Sequence, residues 1–138
     1  MAAKDIFHDN VKRALEKEGW TITHDPLSVA VGSIEMSIDL GAEKLIAAEK
    51  KGEKIAVEIK SFLGKSAIYD FHLAVGQFIN YRYALAEEEP ERLLYLGVPL
   101  RTYQAFFSQD FIKSVVENSQ INLLVYDSDN EAIVRWKN

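Results

Sequence analysis

Between Asp5 and Gly19 the apolar residues Ile6, Phe7, Val11, Ala14 and Leu15 recur at helical spacing, and Gly19 follows as a stop signal. The period then changes. Trp20–His24 is rich in aromatic and β-branched residues and predicts a short strand, ended by the turn pair Asp25-Pro26. Two strand-like stretches, Glu35 to Lys50 and Glu53 to Phe62, flank Lys51-Gly52, where glycine suits the positive φ of a hairpin turn; the first is interrupted at Gly41, a bulge or bend. In the second, alternation sends Ile55, Val57 and Ile59 to one face and Ala56, Glu58 and Lys60 to the other.

Downstream, Phe71, Ala74, Val75, Phe78, Ile79 and Leu85 predict a long helix from about Ser66 to Glu87, which ends in an acidic run before Pro90. Leu93–Val98 reads as a strand. Pro99 opens a segment with one or two short helices up to about Asn118. Ile121–Tyr126 and Ala132–Trp136 then form a hairpin across Asp127-Ser128-Asp129-Asn130. No repeat, low-complexity tract or linker divides the chain, so residues 1–138 read as a single domain. The order predicts an α/β fold, a mixed β-sheet flanked by helices with a C-terminal β-hairpin. A right-handed crossover through the long helix sets its two strands parallel.

The 138 residues are 48% hydrophobic and 27% charged, which places them among globular chains that bury a core without disulfide or structural zinc. There is no cysteine, which excludes thiolate metal sites and cysteine nucleophiles. The amino terminus lacks the apolar run of a signal peptide, and no apolar run approaches the roughly 20 residues of a membrane span, so the expected location is cytoplasmic, with no membrane partner. The net charge of −5 argues against tight non-specific DNA binding, which needs phosphate-neutralising cations.

Glu58-Ile59-Lys60 is where chemistry concentrates, because a carboxylate and an ammonium share one face of a strand. The carboxylate can hold Mg²⁺ or Mn²⁺, and the lysine can orient a water or neutralise a phosphate. Taken alone, Glu-x-Lys on a strand is more often a solvated pair. A metal site needs a further acid on the preceding strand, and Asp39 within Ile38-Asp39-Leu40 is one candidate. Glu43 is the rival: a tight turn at Lys51-Gly52 sets it opposite Lys60, whereas Asp39 needs the bend at Gly41. On the long helix, Gln77 and Tyr81 lie one turn apart on a largely apolar stripe, where a polar group requires a partner; a glutamine satisfied by backbone and an ordinary core-edge tyrosine are the plain alternatives.

These residues resemble the PD-(D/E)XK nuclease superfamily, whose core places an acid on one hairpin strand and Glu-x-Lys on the next. The resemblance spans about Asp5 to Val98, and Gln77-Phe78-Ile79-Asn80-Tyr81 is similar to the Gln-x-x-x-Tyr helix motif of RecB-like members. By that likeness Asp39, Glu58, Lys60 and Gln77 are the catalytic candidates, Asp39 and Glu58 the metal ligands, and Glu43, His8 and Tyr81 auxiliary residues. Resolvase-like members carry a glutamate on the first helix. The comparable turn here offers His8 and Asp9, and His8 is either a substitute ligand or base, or a polar residue on the solvated side.

Longer strings, Gly19–Leu27, Asp39–Leu45, Ile55–Phe62 and Gly76-Gln77-Phe78, resemble the XisH family of fdxN element excision controlling factors of cyanobacteria. That resemblance implies a role in programmed DNA excision, beside a site-specific recombinase and an XisI-like companion factor. Two functions compete. One is a Mg²⁺-dependent endonuclease-like enzyme acting on DNA; the other is a catalytically inactive regulatory subunit that kept the nuclease fold for binding. A plain interaction module is a third. The terminal hairpin, with Tyr126 and Trp136, is the expected docking place for a partner or for a second copy in a homodimer.

Overall fold

The computed structural model describes residues 7–35 and 45–138. Asp39 and Glu43 lie outside the described residues. One six-stranded mixed sheet organises the rest, in the order β1 (Thr21–His24), β4 (Leu45–Lys50), β5 (Glu53–Ile59), β6 (Arg92–Pro99), β7 (Leu123–Asp127), β8 (Ala132–Lys137). A two-residue pair, β2 (Ala30–Val31) with β3 (Ile34–Glu35), forms a separate small ribbon.

The β4–β5 hairpin is tight, as its sequence predicts. Lys51 and Gly52 have φ of 50° and 84°, the left-handed pair of a two-residue turn matched to strand twist. Register runs from Lys50↔Glu53 to Leu45↔Glu58 without a bulge. The predicted crossover is also present: α2 (Ala67–Glu88) leads from β5 to a parallel β6. The Ser66 hydroxyl caps α2 by accepting from the Tyr69 amide at 3.2 Å. At the other end Arg92, buried to 6% exposure, joins Glu89 to the Ile55 carbonyl oxygen at 3.0 Å, tying the helix exit to the start of β5.

The segment after β6 forms α3 (Leu100–Ala105) and α4 (Asp110–Asn118), a second crossover that sets β7 parallel to β6. β8 then closes the sheet antiparallel to β7.

Two cores sandwich the sheet. On one face, α1 (His8–Lys17) packs Val11 and Leu15 against Ile46, Ala48, Ile55, Val57 and Ile59. On the other, α2 packs Phe71, Ala74 and Phe78 against Ala47, Ala56, Leu94 and Leu96, with Phe107 and Ile112 from the second crossover. The faces drawn from alternation in β5 are therefore the faces observed. Each buried aromatic or branched side chain contributes roughly 1.5–3 kcal/mol to folding, which anchors the strand that carries Glu58 from both sides.

The two aromatics of the terminal hairpin turn toward the chain's own layers, and β8 stands at one edge of the described sheet. Tyr126 is 1% exposed and donates its hydroxyl to the Lys60 carbonyl oxygen at 3.1 Å. Trp136 packs on Trp20 and Tyr95, at centroid distances of 5.7 and 4.9 Å. Tyr126 belongs to the core, and Trp136 packs half-buried at its margin, where β8 lies over the end of α1.

Candidate functional site

Glu58 is the sixth residue of β5, and its alternation partner Ala56 belongs to the core beneath α2. Its side chain thus shares a face with α2, away from α1. Lys60 follows the strand end but keeps its direction, since its amide donates to the Gly97 carbonyl oxygen at 3.0 Å. With Tyr126 on the Lys60 carbonyl, the backbone at this point is held on both sides.

Both ionic groups are buried, Glu58 at 1% and Lys60 at 2% exposure. The Lys60 Nζ lies 3.9 Å from Glu58 Oε2. This is not the solvated pair that Glu-x-Lys usually makes. Two charges taken out of water cost several kcal/mol each, so a buried pair is weak evidence for stability and calls for another account.

Gln77 and Tyr81 sit on α2. Tyr81 packs at the margin of the core beneath that helix. The Gln77 Oε1 is buried and has no hydrogen-bond partner among the described residues. An unpaired buried acceptor costs roughly 1–3 kcal/mol, so the apolar stripe carries an amide whose carbonyl is still open to a donor.

His8 stands apart from this group. It is 1% exposed, on the helix that covers the opposite face, so it is neither solvated nor beside Glu58. Its Nε2 lies 2.8 Å from Asp25 Oδ1, and Lys12 Nζ lies 2.7 Å from Asp25 Oδ2. Burial pushes the Asp25 carboxyl upward, but hydrogen bonds from Lys12 and His8 outweigh it and hold the carboxyl below its usual range. Asp25 had signalled only a turn; nothing in its local sequence marks the contact with a helix residue 17 positions earlier.

For a metal, Glu58 supplies a hard oxygen donor of the kind Mg²⁺ and Mn²⁺ prefer. Among the described residues no group of three or more His, Asp or Glu side chains gathers, so these residues alone offer one carboxylate with an ammonium beside it. A cleft of about 500 Å³ opens at the carboxyl ends of β5, β6 and β7, with Ser61, Pro99, Arg101, Gln104 and Asp127 among its walls. Ligands of open α/β sheets favour this position. Arg101 and Gln104 carried no sequence signal beyond following the β6 strand, and Glu58 and Lys60 do not line the cleft.

Comparison with known proteins agrees over almost the entire chain. The family described as XisH protein matches residues 1–134. The crystal structure of an XisH family protein from Nostoc punctiforme is similar with a TM-score of 0.91 and 55% identity, covering 97% of this chain and 100% of that one. An fdxN element excision controlling factor protein from Anabaena variabilis is similar with a TM-score of 0.90 and 54% identity, covering 98% of this chain and 100% of that one. No curated protein matches the chain.

Proposed function

Because this chain belongs to the XisH family, we propose that it is an endonuclease-like factor in the site-specific excision of a DNA element, built on a PD-(D/E)XK core. The observation that carries the reading is the buried Glu58–Lys60 pair on the face covered by α2, the helix that bears Gln77 and Tyr81. A pair so costly to bury is the kind of arrangement that function retains.

In this reading Glu58 would hold Mg²⁺ or Mn²⁺, with Asp39 or Glu43 completing the carboxylate set. When bound, the metal would acidify a water and stabilise the negative charge that builds on the phosphoryl oxygens. Lys60 orients that water or neutralises the phosphate oxygen that gains charge. Gln77 offers its unpartnered Oε1 as an acceptor, and Arg101 at the strand ends can meet a phosphate of the substrate. DNA, an XisI-like companion and the recombinase are the partners. The similar protein from Anabaena variabilis is named as an excision controlling factor, which supports the assignment of process.

A second reading has its own observation. Glu58 and Lys60 are almost wholly buried, and the chain carries a net charge of −5, as suits a regulatory subunit that binds without cutting. The two separate on metal-dependent cleavage of supercoiled and branched DNA, with and without the companion factor and with Glu58→Ala as control. Cleavage by the wild type alone supports the enzyme. No cleavage under any of these conditions, with excision in cells intact, would overturn it.

A further inference from the structure

Helix α2 is apolar on two faces, and only one of them is used. Phe71, Ala74, Phe78 and Leu85 point into the core. On the opposite side Tyr69, Leu73 and Tyr83 are 62%, 43% and 72% exposed, with His72, Gly76 and Asn80 exposed between them. Residues 69, 73, 76, 80 and 83 step alternately by four and three, the spacing of a helix seam that packs against another helix.

Gly76 lies at the centre of that seam. A glycine inside a helix costs about 1 kcal/mol relative to alanine. Among the described residues nothing offsets that cost, because a Cβ at Gly76 would meet none of their atoms within 4 Å. The residue leaves the helix backbone bare where it faces outward, which is what close approach by another helix requires.

The two ends of the seam are symmetric about this residue. Tyr69 and Tyr83 lie seven positions to either side of Gly76, and His72 and Asn80 lie four. An antiparallel copy crossing at Gly76 sets each Tyr69 against Tyr83 of the other chain and each His72 near Asn80. This is the self-complementarity of an isologous two-fold interface. Paired tyrosine rings at both ends and hydrogen-bonding groups between them leave no like charges opposed. We propose that the outer face of α2 is a homodimer interface, with two α2 helices packed antiparallel through Gly76.

Sedimentation equilibrium of the wild type at micromolar to submillimolar concentration should give twice the chain mass; a monomer throughout would overturn the proposal, including in favour of a different protein's helix on this face. Gly76→Leu should weaken the dimer by roughly a hundredfold by overfilling the crossing. It should leave thermal stability of the monomer unchanged or higher. Register is tested with Tyr69→Glu and Tyr83→Lys. Each alone should be largely monomeric, and their equimolar mixture should dimerise, because the new carboxylate and ammonium would then face one another. Failure of the mixture to recover, while the wild type dimerises, would overturn the antiparallel crossing.

Discussion

Tyr126 donates its hydroxyl to the carbonyl oxygen of Lys60 across 66 positions of sequence, so the terminal hairpin braces the strand end that carries the buried ion pair. That brace is local, polar and buried. Tyr126→Phe keeps the ring and its edge contact with Phe7 but leaves the Lys60 carbonyl without this donor. A loss of about 1–2 kcal/mol is expected in urea unfolding, with unchanged m value.

The burial of Lys60 alters what its replacement reports. Lys60→Met removes the cation 3.9 Å from the buried Glu58 carboxylate, and breaking a buried pair from one side costs about 3–5 kcal/mol. The double variant Glu58→Gln, Lys60→Met removes both charges and should recover at least half of that loss in chemical denaturation. Any nuclease activity should remain absent from single and double variants alike. Recovery of activity together with stability would show that the pair is structural only.

Asp25 links the start of α1 to the loop after β1 through His8 and Lys12. Its carboxyl is held low in the folded state, so its contribution is complete above the unfolded value of about 4 and disappears as pH falls through the lower folded value. Asp25→Asn should flatten the acid limb of a melting-temperature profile measured from neutral pH downward. Asp25→Ala, which leaves both His8 nitrogens unpaired in the core, should cost about 1–3 kcal/mol at neutral pH.

Gly97 faces Ile59 across the parallel β5–β6 ladder, and a Cβ there would lie 3.2 Å from Val57 Cγ1 and 3.6 Å from the Glu58 carbonyl oxygen. Gly97→Val should therefore destabilise by about 1–3 kcal/mol through overpacking, read by thermal melting. Gly76→Ala, exposed on α2, is the matched control and should raise the melting point of the monomeric protein.

Elements whose signals are local were legible in the sequence. Ser66 before an apolar stripe marks the start of α2, Lys51-Gly52 fixes the hairpin, and alternation in β5 assigns the faces that the two cores later occupy. The register of that hairpin also follows from its turn, which is why Glu58 could be set on a face without knowing what covers it. Long-range partners were not legible. The Asp25–His8 contact joins a turn to a helix through no periodic pattern, the β6–β7 parallel pairing depends on where α3 and α4 return the chain, and burial of Tyr126 depends on β8 lying over α1. The small β2–β3 ribbon, only two residues per strand, is too short to leave a period. Glu58 and Lys60 were found by type and spacing, but their near-complete burial is a property of layers that sequence neighbours do not reveal.

The strand order also sets a sequence of events during synthesis. β4 precedes β5 and can pair with it as soon as Ile59 has left the ribosome, whereas the other side of β5 waits for β6, which follows a 22-residue helix and ends at Pro99. Until then β5 presents one row of unpaired amides and carbonyls, even though α1, made first, can already cover its apolar face. A nascent chain stalled before Arg92 would therefore expose an edge open to foreign strands, and the same chain released beyond Pro99 would not.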